Sequence, residues 1–209
     1  MAISAAISSY NAVSSGGNAT IPSGQYRMAV VSYRYADVTS PSGITIGGLA
    51  CTKLVEKTYS TTLITQLWYL LIPASWAAGS QVLTITGGTG TSVGVYMLTG
   101  VNTTKVPLSF NGATADASAV SITMAVTGLT GGVILTSLYT STGDGTNVFV
   151  ADAFQTADVA NSRNGLGRNV GSTGALNAIW DWSSTRAAAL VGISVYPMIC
   201  PAGGPVYYE

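Results

Sequence analysis

The chain contains no histidine. That excludes Ser-His-Asp and Cys-His nucleophilic catalysis and removes the commonest ligand of transition metals. Only two cysteines occur, Cys51 and Cys200, too few for a structural zinc site with four ligands. Charge is scarce as well. Eight basic and eight acidic residues make up 8% of the 209 residues and cancel to zero, against about 25% in an average soluble domain. No basic arm or run of like charge appears, so the clustered Lys and Arg that neutralise phosphates are missing and nucleic acid is not an expected partner. No window approaches the roughly 18 uninterrupted apolar residues of a membrane-spanning helix, and a membrane is not an expected partner either. Met1–Ser9 lacks the basic start and long apolar stretch of a secretory signal.

Helical periodicity is nearly absent too, and strand patterning fills the space. Val120–Val126 (VSITMAV) alternates, with Val120, Ile122, Met124 and Val126 on one side, as a half-buried antiparallel strand does. Arg27–Tyr35, Leu63–Ile72, Val93–Val101, Val133–Tyr139 and Ala187–Tyr196 are apolar on both sides. They read as central strands or as strands at a subunit contact. Shorter candidates are Ile44–Ile46, Cys51–Lys57, Gln81–Thr86, Val106–Phe110 and Leu176–Trp182. Turn signals lie between them, among them Gly47-Gly48, Asn111-Gly112, Gly131-Gly132 and Asp144-Gly145. The expected fold is all-β: an antiparallel two-sheet, jelly-roll-like sandwich of about ten to twelve strands. No linker divides it, and no internal repeat is expected. Residues 27–200 are read as one sandwich domain, 1–26 as a segment packed on it or on a neighbour, and 201–209 as a tail. Asn161–Ala175, with four glycines, three asparagines and two arginines, reads as a long loop, the kind that often carries function.

Little in the chain points to chemistry. Glycoside hydrolysis needs two carboxylates flanking a bond, but no motif selects a pair from Asp37, Glu56, Asp116, Asp144, Asp152, Asp158 and Asp181. Ser141–Asn147 lacks the alternating acids of a calcium loop, and Asp144-Gly145 reads more simply as a hairpin turn. Gly87–Gly94 has no helix after it, as a phosphate cradle requires. No catalytic residue, cofactor or metal is therefore assigned. Trp180 and Trp182 lie two apart and share a face of a strand. They offer either a platform for a sugar ring or large buried area in a core or interface. Trp76, in the Ala74–Gly79 turn, is the more exposed indole. Arg163 and Arg168 in the long loop, and Tyr207 and Tyr208 in the tail, complete the candidate contacts to a partner or glycan. Cys51 and Cys200 read either as a disulfide or as two buried thiols.

Several phrases, in order, carry a family resemblance. Ile44–Lys57 (ITIGGLACTKLVEK) resembles the strand, Gly-Gly, strand opening of a widespread phage and bacterial β-sandwich module. Leu67–Pro73, Gln81–Thr86, Tyr96–Thr103 and Leu190–Pro197 resemble its later segments, so that the likeness covers about residues 27 to 199. The module occurs in phage structural and cell-surface proteins. It implies a jelly-roll-like or concanavalin-like sandwich and no catalytic residues. With the scarce charge and no secretory signal, the expectation is a virion structural protein, made in the host cytoplasm and carried on the outer surface of the particle as a decoration, cement or minor capsid component. Its partners would be the capsid shell and copies of itself. The alternative is a carbohydrate-binding module of a fibre or cell surface.

Overall fold

The computed structural model describes residues 6–13, 17–35, 39–60, 63–88, 92–104, 109–141, 149–151, 155–160 and 163–198. The described residues form no helix, and every strand pairing is antiparallel. Strands β1 (Ala6–Val13), β2 (Asn18–Ile21), β3 (Met28–Tyr35), β4 (Gly43–Ile46), β5 (Leu49–Ala50), β6 (Thr52–Tyr59), β7 (Leu63–Leu71), β8 (Gly79–Thr86) and β9 (Ser92–Thr99) make the first half. Strands β10 (Ser109–Ala115), β11 (Ser121–Gly128), β12 (Val133–Thr140), β13 (Phe149–Ala151), β14 (Thr156–Ala160), β15 (Asn164–Val170), β16 (Gly174–Trp182) and β17 (Ala188–Val195) make the second.

The all-β sandwich expected from the pattern is present, in doubled form. In the first half an inner sheet, β1-β9-β3-β7-β6, faces an outer sheet, β2-β8-β4-β5. The second half repeats this with β10-β17-β12-β15-β14 inside and β11-β16-β13 outside. In each half the chain passes between inner and outer sheets as it advances and returns its last strand beside its first, the order of a jelly roll. The expectation of no internal repeat is corrected at the level of topology: β1 corresponds to β10, β3 to β12, β7 to β15 and β9 to β17. The four sheets are stacked, with the two inner sheets against each other. There are thus seventeen strands among the described residues where about ten to twelve were expected, in part because β5 and β13 are only two and three residues long. The first 26 residues supply β1 and β2, integral members of two sheets.

This layering explains the sequence pattern. The runs that read as apolar on both sides are β3, β7, β9, β12 and β17, all in the inner sheets, where each face meets another sheet. Ala29, Val31 and Met97 point to the outer sheet of the first half, against Ile46 and Leu83. Their neighbours Met28, Val30 and Leu98 point to the junction, against Val133, Leu135 and Val195. On β17, Val191 and Ile193 share that junction, whereas Ala188 and Leu190 turn to the second outer sheet. Strand β11 alternates as expected, burying Ile122, Met124 and Val126. Val120 falls just before the strand and is 49% exposed.

Two local expectations are corrected. Asn111-Gly112 is no turn but lies inside β10, paired with Gly192 and Val191 of β17, and the side chain of Lys57 from β6 occupies the place a Cβ at Gly112 would take. The fourth short candidate strand, Val106–Phe110, is described from Ser109 on, where β10 begins and runs on to Ala115. Asn161–Ala175 is no long loop either: it holds β15 and the start of β16, joined by a tight turn through Gly171 and Gly174 at φ 83° and 84°. By contrast, Gly47-Gly48 is the expected turn. Both residues have positive φ, 56° and 82°, as a two-residue hairpin connection between β4 and β5 demands.

The inner sheets meet with their lateral orders reversed. Strand β7 lies on β17 and β6 lies on β10, with β3 on β12 between the two sheets. A simple translation would instead set β7 on its own counterpart, β15. Leu67 pairs with Ser32 in one sheet as Leu166 pairs with Ser137 in the other, and both leucines are buried in the junction cluster.

Candidate functional site

Trp180 and Trp182 share a face of β16, as their spacing requires, but it is the face turned into the second half. They are 0% and 5% exposed. The indole of Trp180 lies over β15, where a Cβ at Gly165 or Gly167 would come within 2.9 Å of the ring. Its Nε1 donates to Thr136 Oγ1 at 3.3 Å, Thr136 donates to Gln155 Oε1 at 2.5 Å, and Gln155 Nε2 donates to the Ile179 carbonyl at 3.1 Å. This fills the hydrogen-bonding capacity of a polar group buried among Ile134, Leu138 and Ala178. Trp182 Nε1 donates to the Ala119 carbonyl at 2.9 Å. Neither indole is open to a partner or a sugar, so the expected contact role of Trp180 and Trp182 is corrected to core packing.

Trp76 is half-buried and packs on the first core cluster. Its ring edge fills the space a Cβ at Gly47 would need, 2.7 Å from Cη2. Arg27, 2% exposed, ties this turn down: its guanidinium donates to the carbonyls of Pro22, Pro73 and Trp76 at 2.9, 3.0 and 2.7 Å. Arg163 donates from Nη2 to the Ser141 carbonyl at 3.0 Å, holding the chain at the end of β12. Arg168, on β15, pairs with Asp158 on β14 at 3.3 Å. Tyr207, Tyr208, Cys200, Asp37, Asp144 and Asp152 lie outside the described residues.

The structure does not gather the described carboxylates. Glu56 accepts from Lys53 Nζ at 2.8 Å and from Gln66 Nε2 at 2.7 Å, and Gln66 Oε1 accepts from Trp68 Nε1 at 2.8 Å. Asp116 accepts from the backbone N–H and the hydroxyl of Ser118 at 2.9 and 2.6 Å, which holds its carboxyl below the usual carboxylate range. Asp181 lies exposed on the second outer face. Among the described residues no group of three His, Cys, Asp or Glu is placed to hold a metal ion. Cys51 is a buried free thiol whose pKa is pushed up to about 12 by loss of solvent.

Three polar contacts missed by sequence reasoning sit at the junction of the halves. Ser32 on β3 and Ser137 on β12 share a hydrogen bond of 2.6 Å between hydroxyls, and Thr65 on β7 joins Ser137 at 3.1 Å. Tyr96 on β9 donates its hydroxyl to Asp158 Oδ2 at 2.8 Å, crossing from one half to the other. Burial raises the Asp158 pKa, against the opposing pull of the Tyr96 hydrogen bond and of the Arg168 charge. No sequence signal marked these groups, because their partners lie 62 to 105 residues away.

The surfaces turned outward have a distinct chemistry. The strands of the two outer sheets contain a single charged residue, Asp181. The first outer face shows Asn18, Thr20, Ser80, Val82, Thr84 and Thr86. The second shows Ser121, Thr123, Ala125, Thr127, Asn177 and Asp181. The inner layer carries more charge: the edge strand β6 holds Lys53, Glu56 and Lys57, and Arg34 lies buried on the central strand β3. Edge strand β11 has none, but side chains from the inner sheet cover part of it: Asn111 Nδ2 donates to the Ala125 carbonyl at 2.9 Å and Ser194 Oγ to that of Thr127. No protein-family model, curated protein or solved structure matches this chain.

Proposed function

We propose that this protein is a virion structural component, held on the outer surface of the particle as a decoration, cement or minor capsid element and acting through protein–protein contacts. The observation that carries the reading is the pair of outer sheets with one charge between them, set on opposite ends of a doubled jelly roll. Jelly rolls serve in capsids and lectins, and the burial of Trp180 and Trp182 removes the aromatic platform that favoured the lectin branch. Small uncharged side chains on a sheet face cost less to desolvate than charged ones when a neighbouring protein covers them and takes up their hydrogen bonds. The family resemblance of Ile44–Lys57 and Leu190–Pro197 points the same way.

The test is a binding experiment with Thr84→Lys and Asn177→Lys, one charge placed on the central strand of each outer face. Both positions are exposed, so the fold should stand. Purified wild-type chain should sediment as an oligomer or co-sediment with empty phage shells, and each lysine should weaken that association. A wild-type chain that stays monomeric and ignores the shells would overturn the reading.

A further inference from the structure

Most sheet edges of this fold are guarded against pairing with another chain. Strands β1, β6 and β14 each carry a bulge, and β6 and β14 carry charge as well. Strands β2, β5 and β13 are four residues long or less. Strand β10 packs against β6 and β11, and its Gly112 N–H is taken by the Asn111 side chain at 2.8 Å. Bulges, charge, short length and cover are how natural sheets blunt their edges. Strand β11 has eight residues in unbroken register with β16, no charge and no proline. The Val120 carbonyl accepts from Trp182 N–H, so even-numbered backbone groups turn to β16 and odd-numbered ones turn outward. Two outward carbonyls are capped, that of Ala125 by Asn111 and that of Thr127 by Ser194. Among the described residues the outward N–H and C=O of Ser121 and Thr123 meet no partner, and both residues are exposed.

We propose that β11 is a self-association edge, at which a second copy of the chain pairs antiparallel across a two-fold axis at Ile122, joining the two second outer sheets into one. In that register Ser121 of each copy faces Thr123 of the other, and each pair exchanges both of its N–H···O bonds. The caps favour it over its neighbours. An axis at Thr123 sets the Ser121 N–H against the capped carbonyl of Ala125. An axis at Ser121 sets the Thr123 N–H against the Ala119 carbonyl, already taken by Arg186 N–H and Trp182 Nε1. A second copy suits the composition as well. A two-fold contact sets a patch against itself, where a charge meets its like, and β11 carries none. The same register places Val120, 49% exposed in the single chain, opposite Met124 of the second copy. The inference stands apart from the virion reading, which rests on the faces of the outer sheets. A chain that binds shells as a monomer would remove the one and keep the other.

The experiment compares the full-length wild type, Thr123→Pro and Thr123→Val by analytical ultracentrifugation over a range of concentrations. Proline at this position removes an outward N–H and no bond to β16, the setting in which an edge strand accepts it, and circular dichroism checks the fold. Wild type and the valine variant, which keeps the N–H, should pass from monomer to a species of twice the mass as concentration rises. The proline variant should stay monomeric. A wild type that is monomeric throughout, a dimer that survives proline, or a valine variant that loses the dimer would overturn the proposal. Should the proline variant not fold, amide hydrogen exchange of the wild type decides. The Ser121 and Thr123 N–H groups should exchange freely in the monomer and slow on dimerisation, while the Ala125 N–H, which meets the occupied Ala119 carbonyl, stays fast. A dimer in which Ser121 and Thr123 remain unprotected would refute it.

Discussion

Gly165→Ala is the sharpest probe of how the second half is packed. On a strand this change usually helps, because alanine restricts the unfolded chain, by about 0.4–1 kcal/mol. Here the new Cβ would stand 2.9 Å from Cζ3 and 3.1 Å from two more ring atoms of Trp180. That ring is fully buried and anchored through Thr136 and Gln155, so it has no free space to enter. Overpacking of this kind costs about 1–3 kcal/mol. In a chain of this size each kcal/mol moves Tm by about 2–4 °C, which puts the expected fall at roughly 2–12 °C. Thermal unfolding followed by circular dichroism reads it. Gly43→Ala is the control: a Cβ there meets nothing within 4 Å and φ lies outside the positive region, so Tm should hold or rise slightly. Trp180→Phe shortens the ring above Gly165. The double variant should therefore lose less stability than the sum of the singles, with coupling of about 0.5–3 kcal/mol. A Gly165→Ala protein as stable as wild type, or strictly additive behaviour with Trp180→Phe, would refute the packing argument.

The same pair shows where the sequence was legible and where it was not. Strand identity and two-sided burial were readable, because period and apolar content are local properties. The five runs apolar on both sides proved to be the inner strands β3, β7, β9, β12 and β17. The number of layers was not readable, since an inner strand carries the same pattern whether its second face meets its own chain or a subunit. Topological repetition was hidden for a related reason. A jelly roll is specified by alternation and turn placement, and Ser32/Ser137 is one of few positions where matched strands keep the same residue. Gly165-Leu166-Gly167 misled by composition: glycine usually marks a loop, yet here it marks room for an indole fifteen residues away in sequence. A glycine pair two apart and a tryptophan pair two apart, both near the end of the chain, was the available signal. Tyr96, Asp158, Thr65 and Ser137 had none, because polar residues buried at a junction are recognisable only once their distant partners are in place.

Two further predictions test the buried titratable groups. Cys51 is protonated at neutral pH because burial pushes its thiol up to about 12, and the thiolate is the reactive form. Peptide mapping after iodoacetamide should thus find Cys51 unmodified in the native protein and alkylated in denaturant, and ready labelling of the native chain would contradict its burial. Asp158 bears on how the halves are held together. Its pKa is raised by burial, so the folded state binds more protons than the unfolded one between the ordinary carboxylate value of 3.8 and the higher folded value, and this group's contribution makes stability fall as pH rises through that window. Asp158→Asn keeps a carbonyl acceptor for the Tyr96 hydroxyl, removes the buried charge and the Arg168 ion pair, and should flatten that part of the profile. Urea unfolding at a series of pH values reads the difference between the two proteins. If wild type gains stability relative to the Asn variant as pH rises through the window, then the Tyr96 and Arg168 contacts outweigh desolvation, and the junction is held by its charge in spite of its burial.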